Sequence, residues 1–588
     1  MKKSPAFLHK TLAAAICAGL AALTLPAGSA LASPLTTLNP GRVETPDASG
    51  RRVSPTEIPG TLQAQPGAAS SAQPLLQEET PPTMTAPAGA TFHVNKVILD
   101  GATSYPPHTF QPLLATLEGR KVSLAEVNAV AERITQRYRK AGFVLVRTFV
   151  PVQRLDNGVL HLRVIEGQVN QVTINGPSNR AMERYAENIR KEVPLKGETL
   201  ERNLLLMNDI SGNETRGTLV ASQGKAGTDL AIDNQQRRWE GFVGIDNRDS
   251  RYFGPWQMYG GVGLNDPFDL GDHLAIRYGR SLEGDKMSFY EGQYELPIRD
   301  DGTVLSVLAQ HNDGNADTLS FLNANSNGDT FAVRVIHPWI RSRDENFRTS
   351  AAFTWFNGKS EYLDNPDLPP SSDDRIRAIR LGAAYDFTDR YGGANLFKAE
   401  LSKGLGIMGA SDEDRLNPSR FGGETDFVKV QFDAQRIQDL SVITDGLNLY
   451  LAFTGQTAFG NALLTPEQFG VGGSQFGRGY DPSEIAGDNG LAGKVELQYN
   501  RHHEIADHPV PTQYYGFWDV GKVWNNDPDY TGSESLSSAG LGIHFEVLQD
   551  FYISPEVAFP LTRKVSAEEL DNDNGKAPRL YLNVLKLF

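Results

Sequence analysis

The stretch Phe476-Gly477-Arg478-Gly479-Tyr480 places a glycine-flanked arginine inside a long polar segment, 457–492. Further on, Phe517-Trp518-Asp519-Val520-Gly521 places an aspartate on an alternating strand. Successive side chains of a strand point to opposite faces, so Tyr515, Phe517, Asp519 and Gly521 share one side and Trp518 and Val520 the other. A guanidinium taken out of water needs an anion, because several of its donors are otherwise left unsatisfied. Asp519 is the natural partner for Arg478 if the segment folds onto that side, and Gly521 leaves room there for the loop backbone. Left in water, the same residues are an unrelated surface arginine and strand aspartate with little mutual attraction. The choice turns on whether the surrounding strands enclose a lumen.

They read as if they do. Over 238–588, Leu447, Leu449, Leu451 and Phe453 alternate with Asn448, Tyr450, Ala452 and Thr454, and Val428, Val430 and Phe432 alternate with Lys429, Gln431 and Asp433. Val495, Leu497 and Tyr499 alternate with Lys494, Glu496 and Gln498 in the same way. Sixteen such segments begin near Trp239, Gln257, His273, Lys286, Thr303, Asp329, Arg348, Ile376, Leu396, Asp426, Gly446, Gly493, Gln513, Ser537, Phe551 and Arg579. An even number suits a closed bacterial barrel with strands of about ten residues. Counting upward from the N-terminal side, the long connections (358–375, 405–425, 457–492 and 563–578) all fall on one end and short turns such as Leu548-Gln549-Asp550 on the other, the outer-membrane pattern. The hydrophobic fraction of 39% and the negative mean hydropathy fit a barrel wetted inside, although a soluble protein could share them.

The N-terminal part reads differently. Residues 1–32 have the form of an export signal: Lys2, Lys3 and Lys10, an apolar run from Leu12 to Leu25, and Ala30-Leu31-Ala32 as cleavage site. The one cysteine, Cys17, lies within it, so the mature chain is expected to hold no disulfide or cysteine metal site. Loss of those three lysines takes the formal charge from −15 to −18, which argues against a nucleic-acid partner. Residues 33–90 are rich in Pro, Ala, Thr and Gln and read as a linker. A first α/β unit, 91–168, shows a strand at 92–99, a helix opened by the capping box Ser123-Leu124-Ala125-Glu126 with Val127, Val130, Ile134 and Tyr138 on one face, and two strands, 143–151 and 159–165, joined across Asp156-Asn157-Gly158. A second, 169–234, repeats the theme with a strand at 172–175, helices near 180–193 and 200–208, and strands near Leu219 and Leu230.

Several motifs together resemble the TpsB family of two-partner-secretion transporters (ShlB/FhaC/HecB). Tyr138-Arg139-Lys140-Ala141-Gly142-Phe143, the Asp156-Asn157-Gly158 turn and Glu166-Gly167 resemble the first POTRA domain, and 204–212 with Gly227-Thr228-Asp229-Leu230 the second. Asp246-Asn247, Asn265, Gly271-Asp272, Tyr294-Glu295-Leu296-Pro297, Arg478-Gly479-Tyr480-Asp481-Pro482 through Gly490, and Ser538-Ala539-Gly540-Leu541-Gly542 are similar to the barrel of the same family. The resemblance implies a membrane β-barrel of 16 antiparallel strands (238–588) in the outer membrane, preceded by two periplasmic α/β POTRA domains (91–168 and 169–234). Its inward-folded loop, 457–492, would be anchored by Arg478, Gly479 and Tyr480 against Asp519, Phe517 and Gly521.

The implied function is passage of a large exported partner protein, adhesin or haemolysin in type, without nucleotide hydrolysis. POTRA edges somewhere within 91–234 would capture the partner. Outer-membrane lipid, and the barrel assembly machinery during biogenesis, are the other implied partners. The alternative within the same superfamily is a factor that inserts β-barrels, which shares the arginine loop and aspartate strand; two POTRA units favour secretion. No cofactor or metal is expected. Gly470-Val471-Gly472-Gly473 is followed by no Gly-Lys-Ser/Thr and reads as loop glycine, His503 and His508 are spaced wrongly for one helical face, and no nucleophile elbow argues for an enzyme. Two features depart from the family pattern: prolines through 34–81 leave little room for a barrel-plugging helix, and Lys586 stands near the C-terminal Phe588, where it must snorkel.

Overall fold

The computed structural model describes residues 90–588 except 223–227, 317–323, 363–370, 412–417, 421, 506–507, 527–531, 563–564 and 566–576. Before residue 90 it describes only three two-residue strands, Thr45–Pro46, Arg52–Val53 and Leu75–Leu76. The expected leader, most of the linker and any plug helix lie outside the described residues.

The first α/β unit holds β1 (Thr91–Val94), β2 (Lys96–Asp100), β3 (Arg120–Ser123), α1 (Leu124–Lys140), β4 (Arg147–Phe149) and β5 (Val159–Ile165). The strand expected at 92–99 is broken at Asn95, whose backbone N–H donates to the Gly158 carbonyl at 2.7 Å and whose side chain donates to that of Asn157. The break sends β1 to pair with β3 and β2 with β5. Asn157 (φ 55°) and Gly158 (φ 70°) make a turn, but β4 stops at Phe149; Pro151 has no N–H for a ladder, and the Gln153 side chain bonds both backbone groups of His161 instead. Ser123 and Glu126 close the capping box on α1. The Ser123 N–H, with the Arg120 guanidinium, holds the exposed Glu126 carboxyl down at about 2. The apolar face of α1, Val127, Val130, Ile134 and Tyr138, packs on Leu160, Leu162 and Val164.

The second unit holds β6 (Val169–Asn175), α2 (Arg180–Lys191), α3 (Gly197–Asn208), β7 (Asn213–Ala221) and β8 (Thr228–Gln236). Its sheet runs Leu75–Leu76, β7, β8, β6, so a piece of the linker lies parallel against Thr218–Leu219. The helices face the barrel: Arg184 donates to the Pro297 carbonyl, Asn188 to that of Asp300 and Arg202 to that of Pro338, while Arg341 pairs with Asp209 at 2.7 Å. These barrel residues lie in short connections or at their strand ends, so the unit sits under the short-turn end.

The barrel begins with β9 (Trp239–Asp246), β10 (Gln257–Asn265), β11 (His273–Ser281), β12 (Met287–Pro297), β13 (Val304–Ala316), β14 (Ala324–Arg341), β15 (Glu345–Tyr362), β16 (Ser371–Thr388), β17 (Gly393–Gly404), β18 (Val428–Asp439) and β19 (Leu447–Thr457). Two short strands, β20 (Phe469–Val471) and β21 (Ile485–Gly487), follow within the loop. The wall resumes with β22 (Asn489–Ile505), β23 (His508–Trp524), β24 (Ser533–Leu548), β25 (Phe551–Pro560) and β26 (Arg579–Leu587), and β26 pairs with β9 to close sixteen antiparallel strands. Several wall strands are much longer than ten residues; β14, β15 and β16 have 18 each. On β14, Phe331, Val333 and Val335 face outward, and beyond them toward the long-loop end come Asn325, Asn327 and Asp329. The wall therefore continues past the apolar band as a polar collar, which a span-length argument does not foresee.

Large apolar side chains such as Val262, Ile276, Phe331, Leu381, Leu497 and Leu541 stand exposed around the outside, whereas Ser306, Gln310, Thr330, Arg334 and Arg380 are buried inside. An exposed apolar girdle and a polar interior are what lipid outside and water inside select. Among the described residues no helix is long and apolar enough to cross a membrane; the crossing is made by strands. Lys586 sends its ammonium to the Gln549 carbonyl in the short turn before β25, 2.9 Å away.

Candidate functional site

The segment 457–492 is not irregular throughout. Phe469–Val471 and Ile485–Gly487 pair as a small antiparallel ribbon inside the lumen, and its tip is turned by Gly472 (φ 126°), Gly473 (φ 87°) and Gly477 (φ 89°), angles that L side chains rarely adopt. Phe469, Val471, Tyr480 and Ile485 pack with Ala492, Val523 and Leu536 of the wall. This apolar seat lets the ribbon sit against one side of an otherwise polar lumen.

At the tip, Arg478 is 5% and Asp519 0% exposed. Arg478 Nε donates to Asp519 Oδ2 at 2.9 Å and Nη2 to Oδ1 at 3.0 Å, a bidentate fork. The backbone N–H groups of Gly477 and Arg478 donate to the same Oδ2, at 3.2 and 3.1 Å. The guanidinium carbon lies 3.4 Å from the centre of the Phe517 ring, and Nη1 reaches Glu496 at 2.8 Å and Glu556 at 3.5 Å. Glu556 also pairs with Arg248 at 3.1 Å and accepts from the Tyr515 hydroxyl at 2.7 Å. A Cβ on Gly479 would stand 2.9 Å from Pro560 N, and one on Gly521 would stand 2.5 Å from Val471 Cγ1, so both positions are closed to larger residues. Tyr480 is fully buried, its hydroxyl donating to the Ser537 carbonyl and accepting from the Thr562 N–H. All six residues named from the sequence, Arg478, Gly479, Tyr480, Phe517, Asp519 and Gly521, therefore meet at one place.

Two further clamps hold the loop. Glu467, at its ascending base, pairs with Arg380 of β16 at 2.6 Å and Lys429 of β18 at 2.7 Å, all three buried. Past the tip, Asp481 pairs with Arg251, beyond β9, at 2.6 Å and with Arg579 of β26, while Arg251 also reaches Glu484 at 2.9 Å. The loop is thus tied to three sectors of the wall, one of them the closing seam. Glu496, Glu556, Arg380, Lys429 and Arg579 were not singled out as partners from the sequence. A charged residue on the inward parity of a strand is the signal that could have marked them, but only the closed barrel shows which charges meet. The Gly470–Gly473 run serves as ribbon and tip. His503 and His508 stand on the paired strands β22 and β23, and among the described residues no cluster of three potential metal ligands occurs.

A sequence profile of the haemolysin secretion/activation proteins ShlB/FhaC/HecB matches residues 226–545, more than half of the chain. The chain belongs to this family. A second profile, the POTRA domain of ShlB type, matches residues 92–167. The chain is 24% identical to the outer membrane transporter CdiB-2 of Burkholderia pseudomallei, over 84% of its own length and 85% of that protein. It is 22% identical to the heme/hemopexin transporter protein HuxB of Haemophilus influenzae, over 81% and 83%. The solved structure of CdiB from Escherichia coli superposes with a TM-score of 0.70 at 20% identity, covering 89% of this chain and 95% of that one, which shows the shared fold. Membership places this ShlB/FhaC/HecB member in the outer membrane, with its POTRA units on the periplasmic side.

Proposed function

We propose that this transporter captures one large exported partner protein on its POTRA edges and conducts it through the barrel, with the loop 457–492 as the element that both occupies and organises the conduit. The observation that carries this reading is the family match across the barrel joined to the ShlB-type POTRA match before it. The relatives are transporters by name and the matching family is one of secretion/activation proteins, which favours secretion over barrel insertion.

Strand addition suits capture because main-chain hydrogen bonds tolerate varied sequences. Open candidates are β6 at one edge of the second sheet, and β2 and β4 at the two edges of the first. The placement of Leu75–Leu76 beside β7 supports such pairing, since it is an added strand supplied by the chain itself. The cargo's own folding outside, each turn burying surface against the last, supplies a drive that needs no nucleotide. In the lumen, the loop stands where cargo must pass, held by ion pairs that a wetted channel can exchange. Deleting 169–234 is expected to abolish export of the partner while the barrel keeps its heat-modifiable gel mobility. Normal export by that deletion would remove the capture role.

A further inference from the structure

Lys494 on β22 lies directly opposite Asp519 on β23, and its inward parity puts it on the same side as Glu496, two residues along. Yet among the described residues its ammonium is in no ion pair. It lies 5.4 Å from the centre of the Phe476 ring, on the loop, and 6.0 Å from that of Tyr450 on β19. Asp519 is meanwhile taken by Arg478. The cluster therefore holds three cations, Arg478, Arg248 and Lys494, and three carboxylates, Asp519, Glu496 and Glu556, but one of the cations is held in reserve.

If the loop swings out, Arg478 and Phe476 leave together. Glu556 keeps Arg248 and the Tyr515 hydroxyl, whereas Asp519 and Glu496 lose their guanidinium. A wall carboxylate stripped of its counter-ion is costly, and this cost would lock the loop in place. We infer that Lys494 is a positioning residue for transport: a stand-in cation that moves from the Phe476 ring to Asp519 when Arg478 departs, so that the loop can be released without stranding the wall's charge. A lysine suits the task, being a compact charge on a flexible stem, able to change partners where a planar guanidinium would be committed. The inference rests on the reading of the loop as a movable element of the conduit.

The test uses the full-length protein with Cys17→Ser and a reporter, Gln475→Cys, at the loop tip, measuring its rate of modification by a membrane-impermeant maleimide applied from outside. Lys494→Met is expected to slow labelling about tenfold or more, since the released state then leaves Asp519, Glu496 and Glu556 with Arg248 alone. Lys494→Arg should recover only part of the native rate, because a guanidinium keeps the charge but changes partners less readily. In an Asp519→Asn background the effect of Lys494→Met should shrink to within about twofold, because the charge it serves is gone. Faster labelling in Lys494→Met would show that Lys494 holds the loop through Phe476, and unchanged labelling would show that it does neither; both overturn the inference. Arg478→Ala separates the two levels: if it fails to speed labelling, the movable-loop reading falls, and if it speeds labelling while Lys494→Met slows nothing, the stand-in role alone falls. Should Lys494→Met not assemble, judged by heat-modifiable mobility, Lys494→Gln carries the same expectations.

Discussion

In the first periplasmic unit the buried face of α1 is Val127, Val130, Ile134 and Tyr138, while the buried face of β23 is Tyr515, Phe517, Asp519 and Gly521. One is closed by apolar side chains that lose free energy whenever water enters. The other is closed by a loop that is tied to the wall by buried ion pairs beside a smaller apolar seat of Phe469, Val471 and Ile485. The same chain thus closes one unit by apolar burial and anchors its lumen loop by paired charge, so that the two regions are separated by the chemistry of what is buried.

The contrast can be broken from either side. The largest effect is expected at the loop base, where Glu467→Gln leaves Arg380 and Lys429 without their carboxylate; losing one partner of a buried pair costs about 3–5 kcal/mol. Planar-bilayer recordings should show larger or longer conductance bursts, and native-like traces would mean that this clamp holds nothing. Next is Ile134→Ala, fully buried in the first unit, with a loss of about 2–5 kcal/mol. Protease should then cut within 91–168 while the barrel stays folded; a co-unfolding barrel would deny the separation. Gly479→Ala should cost about 1–3 kcal/mol by overpacking against Pro560 and Ser538, read as faster protease access to the loop.

Smaller still is Ser123→Ala, which removes the cap of α1 at about 1 kcal/mol and lowers the urea midpoint of the isolated 91–168 unit. Glu126 adds a pH dependence. Its folded value of about 2 lies below the ordinary 4.5, so its contribution is fully present above 4.5 and is lost as pH falls toward 2. Glu126→Gln should flatten that part of the urea-midpoint profile, and an unchanged profile would deny the linkage.

The barrel was legible because alternation with Val428, Val430 and Phe432 on one side and Lys429 and Gln431 on the other admits few other solutions. Strand ends were not: β14 begins at Ala324, ahead of the start expected near Asp329, because Asn325 and Asn327 are polar and residues of that kind at such places read as loop. The break at Asn95 depended on a distant partner, Gly158, which local pattern cannot reveal. In the site, Arg478 and Asp519 could be paired because each sits in a distinctive local motif. Glu496, Glu556, Arg248 and Lys494 lie in ordinary strand or turn sequence, and their meeting is a product of barrel closure.

The most direct test of the account is a double-mutant cycle on Arg478 and Asp519, reading the amount of partner protein that appears outside the cell, with heat-modifiable mobility as the control for assembly. Arg478→Ala and Asp519→Ala should each reduce export sharply while the barrel remains folded, and the double variant should be no worse than either, because both remove one interaction. Export defects that simply multiply in the double variant would show that the two residues act independently, and would contradict the claim that their pairing organises the conduit.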